Sequence, residues 1–204
     1  MSEKELRYWP VELRLETREG VPEIVGYAAV FNVLSEDLGG FREQIAAGAF
    51  SRSLEENDIR ALWDHDSKYV LGRNRANTLQ LAEDAHGLRV RMTPPATQWA
   101  SDLMESMKRG DVSQMSFGFI TRGDFWERDN LYGAVRTLTD VDLFDVSVVT
   151  YPAYSATSVA VEARDTAKAL VQAGRDEEEA EGTGARARLG NKRRELEIFK
   201  LEVN

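Results

Sequence analysis

Hydrophobic and polar positions divide this chain into a strand-rich body and a charged end. Val11, Leu13 and Leu15 alternate with Glu12, Arg14 and Glu16, the period of two expected of a strand with one buried face. Ile24 to Val33 is apolar on both faces, with Gly26 permitting close approach or a bend, and reads as a central strand. Phe41 to Ile45 reads as a short strand, and Ala46 to Leu54 as a helix. Ile59, Ala61 and Trp63 alternate toward His65, which predicts a histidine at a strand end on the face of Trp63. Val70-Leu71-Gly72, Thr78 to Ala82 and Leu88 to Met92 predict further strands, with Asp84-Ala85-His86-Gly87 as the turn between the last two.

Between Ala96 and Lys108 the period changes. Trp99, Leu103, Met104 and Met107 recur at helical spacing, and Gly110 is a suitable stop. From Val112 to Ile120, Met115, Phe117 and Phe119 share one strand face while Gln114, Ser116 and Gly118 share the other. The large residues should face the core, which turns Ser116 away from it beside a glycine that leaves room for approach. Val141 to Tyr151 is apolar on both faces except for Asp142, Asp145 and Ser147, and stops at Pro152. Many short strands and few helices predict a mainly β protein with flanking helices (α+β), built as an antiparallel barrel or sandwich.

Composition sharpens the division. Residues 163–204 carry nine basic and nine acidic side chains, including Asp176-Glu177-Glu178-Glu179 and a basic stretch from Arg186 to Arg194. Such a segment buries little apolar surface, so the expected organisation is a domain over 1–162 and a flexible or partly helical charged tail over 163–204. Arg194 to Leu201 is the part of that tail best suited to dock on an apolar groove. A net charge of -9 argues against broad nucleic-acid binding. The polar start and the absence of any run of about eighteen apolar residues give no sign of export or membrane spanning.

The candidate chemistry is narrow. With no cysteine there is no thiolate nucleophile and no sulfur-based zinc site, and the two histidines, His65 and His86, are the available imidazole bases. A serine hydroxyl needs such a base at neutral pH, so Ser116 with His65 is a candidate pair, against the plainer reading of a small strand residue and a packing histidine. Asp145 lies in an apolar segment where a carboxylate is costly unless paired. Its partner is either an imidazolium or backbone N–H groups at a bulge. Asp64-His65-Asp66 gathers oxygen and nitrogen donors, but neighbours on a strand diverge, so no metal or cofactor is assigned. Gly39-Gly40 lacks the Lys and Ser or Thr of a phosphate loop.

Taken in order, several segments resemble the prohead maturation serine proteases of tailed bacteriophages, which are similar to the herpesvirus assemblin proteases. They are Gly26-Tyr27-Ala28-Ala29-Val30-Phe31, Phe41-Arg42-Glu43-Gln44-Ile45 leading to Gly48-Ala49-Phe50, His65-Asp66 with Leu71-Gly72, Asp84 with Gly87-Leu88, Met115-Ser116-Phe117-Gly118-Phe119, and Phe144 to Thr150 closing on Pro152-Ala153. The likeness spans roughly residues 5 to 160. It implies a small closed or partly open antiparallel β-barrel of assemblin type. By the same resemblance His65 is the general base, Ser116 the nucleophile and Asp145 the acidic third member, with Asp142 and Asp140 as alternatives. Herpesvirus relatives place a second histidine after the serine, and none follows Ser116 here.

The implied activity is endopeptidase cleavage of the capsid protein's scaffolding segments inside the immature capsid, in the host cytoplasm. Relatives often cleave themselves, and assemblin-type enzymes often dimerise, so self-cleavage of the tail and a homodimer are expectations. The partners are then the major capsid protein with its scaffold and the chain itself, with no nucleic acid or membrane. The alternative is a noncatalytic scaffolding protein that keeps the protease-like fold.

Overall fold

In the computed structural model, residues 4–9, 13–151 and 163–176 are described. Two sheets share one core. The first is six-stranded: β1 (Glu5–Trp9), β9 (Gln114–Asp129), β10 (Gly133–Val149), β5 (Arg60–Trp63) and β6 (Asp66–Arg73) follow one another, and β4 (Arg42–Ile45) also pairs with β10. The second is four-stranded and antiparallel, in the order β2 (Leu13–Arg18), β3 (Val21–Val30), β8 (Gly87–Met92), β7 (Leu79–Glu83). Ile24, Leu88, Val90 and Met92 of the second sheet meet Phe117, Phe119, Leu143, Val146 and Val148 of the first in the main apolar cluster. The helices are α1 (Ser51–Glu56), α2 (Gln98–Arg109) and α3 (163–176).

The mainly β, helix-flanked class is as expected, but the barrel is not: the sheets do not close. Nor is the larger sheet purely antiparallel, since β10 runs parallel to both β4 and β5. Those two strands share one edge of β10, at Val135–Leu138 and at Asp145–Val148, and α1 fills the gap between them. Ser53, fully buried, donates its hydroxyl to the Val141 carbonyl at 2.5 Å and accepts the Leu143 N–H at 2.8 Å, while Asn57 donates to the Leu143 carbonyl at 3.2 Å. The backbone groups of β10 left without a neighbouring strand are thus satisfied by a short helix.

Several boundaries differ from the sequence pattern. The helix read from Ala46 begins only at Ser51, because Gly48 takes a left-handed φ of 91° that breaks a helical run. The central strand β3 stops at Val30, ahead of Asn32 with φ of 56°. By contrast α2 and its left-handed Gly110 stop agree with the periodicity. The β9–β10 hairpin runs well past Ile120, through residues for which the alternation gave no strand. Helix α3 packs Ala163 and Ala167 against Phe41 and Ala134, with Trp126, Leu170 and Val171 alongside. Val11 and the segment from Arg194 to Leu201 lie outside the described residues.

Candidate active site

The site lies on the face of the large sheet opposite the main core, where β9 and β10 run side by side. Directly paired residues share a face, and Ser116 pairs with Ser147 while Gly118 pairs with Asp145. That second pairing depends on a bulge: Leu143 opposes Phe119, yet the next partner in register, Gly118, meets Asp145, not Phe144. Without the extra residue, Asp145 would oppose Phe117 and point into the core. The bulge therefore rotates this carboxylate onto the face of Ser116, a common use of such irregularities.

His65 arrives from another strand pair. Trp63 pairs with Asp66, so Asp64 and His65 form the whole turn between β5 and β6, with φ of 50° and 57°. The histidine is thus in the turn itself, where a strand end was expected. Two left-handed residues make the arrangement of a type I′ turn, which usually takes Asn or Asp followed by Gly. A histidine at the second position costs about 1–2 kcal/mol of backbone strain, so other contacts must hold it there.

The side chains form a hydrogen-bonded row. Asp145 Oδ1 lies 2.5 Å from His65 Nδ1, and Ser116 Oγ lies 2.8 Å from His65 Nε2. An ionised carboxylate only accepts, so the imidazole proton sits on Nδ1 and leaves Nε2 free to take a proton. Ser116 Oγ also lies 3.0 Å from the Arg7 carbonyl of β1, a second acceptor that competes with Nε2 for the one hydroxyl proton. Ser147 donates to Asp145 Oδ1 at 2.8 Å and lies 3.1 Å from His65 Nδ1. Lys4 Nζ reaches Asp145 Oδ2 at 2.6 Å. Burial pushes the Asp145 pKa upward, but the bonds and charges of His65 and Lys4 outweigh it and bring it down to about 2.

Of the three carboxylates left open by the sequence, only Asp145 touches His65. Asp142 pairs with Arg52 at 2.7 Å and Arg122 at 2.5 Å, and Asp140 pairs with Arg52 at 3.0 Å. Asp64 and Asp66 diverge from His65: Asp64 binds Thr150, and Asp66 accepts the Lys68 N–H at 2.9 Å. Among the described residues no group of three or more His, Cys, Asp or Glu is placed to hold a metal ion. His86 stays in its hairpin turn, its ring 4.6 Å from that of Tyr27.

Two contributors went unnoticed in the sequence. Ser147 carried a signal, being two residues from Asp145 in the same apolar strand, but the bulge that turns both onto the face of Ser116 is invisible in the alternation. Lys4 carried none, since the strand that brings it in, β1, pairs with β9 across more than a hundred residues of chain. It changes the reading of Gly118 as well. The room beside Ser116 holds the Lys4 stem, and a Cβ on Gly118 would overlap Lys4 Cε and sit 2.6 Å from Asp145 Oδ2.

A serine, an imidazole and a buried carboxylate in this order are the parts of a nucleophilic hydrolase, and comparison with known proteins gives the class. The family model for caudovirus prohead serine proteases matches residues 10–171. The chain belongs to that family. It is a serine peptidase with a role in phage capsid maturation. No curated protein matches its sequence. Among solved structures it is similar to the bacteriophage T4 capsid assembly protease gp21, with a TM-score of 0.44 and 9% identity over 72% of this chain and 98% of that one. The family match carries the assignment. Membership implies action on capsid proteins, and among the described residues no helix is long and apolar enough to cross a membrane.

Proposed function

We propose that Ser116 is the nucleophile of this peptidase, His65 its general base and Asp145 the acid that orients the base. The observation that carries this reading is the unbroken row from Asp145 Oδ1 through both nitrogens of His65 to Ser116 Oγ. As Ser116 Oγ attacks a scissile carbonyl carbon, its proton passes to Nε2, and the imidazolium faces a carboxylate that stays ionised. Nε2 then returns the proton to the leaving amine as the C–N bond breaks. A water molecule, deprotonated by the same nitrogen, attacks the acyl carbon, and Nε2 returns that proton to Ser116 Oγ as the ester bond breaks.

The substrate class we infer is the scaffolding segment of the major capsid protein, cleaved inside the prohead. A second substrate is the chain's own tail, taken as the part beyond a protease domain of 1–162. Peptidases act on extended backbone, and α3 is helical and packed on Phe41 and Ala134, which favours a cut beyond residue 176. Self-association as a homodimer is part of the same proposal.

Co-expression with the cognate capsid protein tests it. Gels should show capsid-protein cleavage with the wild type and none with His65→Ala or Ser116→Ala, and mass spectrometry should show tail fragments only in the wild type. Identical uncleaved patterns in all three would favour a noncatalytic scaffolding role. An intact tail beside a cleaved capsid protein would remove the self-cleavage part alone.

A further inference from the structure

We infer that Asp64 is a positioning residue that fixes the general base by tethering its turn to the end of β10; this rests on the reading of His65 proposed above. Asp64 Oδ1 accepts the Thr150 N–H at 2.8 Å, and Oδ2 accepts the Thr150 hydroxyl at 3.2 Å. The Asp64 N–H in turn donates to the Val148 carbonyl at 2.9 Å. Val148 and Thr150 flank the end of the strand that carries Asp145 and Ser147, so three bonds from one residue join the base to the strand of its acid.

The tether is needed because the turn is poorly suited to hold itself. His65 occupies, at φ of 57°, the position of a two-residue turn that glycine normally takes. Its ring must still meet Asp145 on one side and Ser116 on the other. Rotation of this turn by a small angle would break both contacts at once, and catalytic rates fall steeply with such misplacement. Asp64 supplies two things: a residue type that tolerates the left-handed region, and a side-chain oxygen that reaches Thr150.

Two substitutions separate these contributions. Asp64→Asn keeps the backbone tolerance and an acceptor for the Thr150 N–H, whereas Asp64→Gly keeps only the backbone. On a peptide substrate, Asp64→Asn should retain kcat within about threefold, and Asp64→Gly should lose about 10–30-fold in kcat with KM nearly unchanged. The low-field proton resonance of His65 Nδ1–H should persist in wild type and Asp64→Asn and vanish in Asp64→Gly. Wild-type kcat and an intact resonance in Asp64→Gly would overturn the inference, as would equal losses in both variants. Activity that survives Ser116→Ala would sink the catalytic reading instead, and the resonance would still decide whether Asp64 holds His65.

Discussion

Strands β1, β9 and β10 bury a polar cluster on each of their two faces, and the clusters differ in how their charges close. On the core side Glu5 and Glu43 meet Arg7 and Arg136. Arg7 Nε binds Glu43 at 2.7 Å, Arg7 Nη2 binds Glu5 at 2.7 Å, and Arg136 Nη1 lies 3.1 and 3.0 Å from the two glutamates. Burial alone would lower the pKa of both arginines; the facing carboxylates, Glu43 above all, more than reverse this and raise them. Every member has an opposite charge beside it, and no proton has anywhere to go. On the other face Asp145 and Lys4 balance one another, while His65 and Ser116 share a row in which one hydrogen can move. Arg7 joins the two, its guanidinium in the first cluster and its carbonyl 3.0 Å from Ser116 Oγ. A closed set of charges holds strands together; a row in which a proton can pass from Oγ to Nε2 is suited to the chemistry proposed for it.

Substitutions in the two clusters should therefore act on different properties of the protein. Ser116→Ala should abolish peptidase activity by at least about a thousandfold while leaving the urea unfolding midpoint near that of the wild type. Asp145→Asn should follow at about a thousandfold or more, because the amide cannot hold the Nδ1–H tautomer. Arg136 Nε also binds Asp124 at 2.6 Å, so Arg136→Met leaves Glu5, Glu43 and Asp124 short of a partner and should cost about 3–5 kcal/mol of stability in denaturant titration, with kcat per folded molecule retained. A folded Arg136→Met protein without activity would show that the core-side cluster takes part in the chemistry.

Ser147→Ala should lower kcat by a few fold at unchanged KM, since the carboxylate loses one of its three donors. The smallest effect concerns pH. Asp145 is held below the ordinary carboxylate range, at about 2, so its ionised form stabilises the fold fully above about pH 4 and less as pH falls toward 2. The stability gap between wild type and Asp145→Asn should narrow across that window, as read by urea midpoints at stepped pH.

What the sequence made legible was whatever depends on local period or on a rare residue type. The helix at Trp99 to Met107, the Asp84–Gly87 turn and the outward phase of Ser116 were readable because side-chain alternation and turn chemistry are written within a few residues. The pairing of His65 with Ser116 was readable because few bases were available and the family resemblance named these two. The choice of Asp145 over Asp142 was not, because it turns on one unpaired residue, Phe144, in a strand that is apolar on both faces and so has no phase to read. The open sheets, the parallel pairing of β4 and β5 with β10, and the reach of Lys4 are all long-range, and no local pattern encodes them.

Catalysis by this row requires that His65 activate Ser116. A fluorophosphonate probe, which bonds only to an activated serine, followed by peptide mapping, tests it most directly. Wild-type protein should take a single label on Ser116, lost in His65→Ala and strongly slowed in Asp145→Asn. Labelling of Ser116 at an equal rate in His65→Ala, or a label on another serine alone, would contradict it.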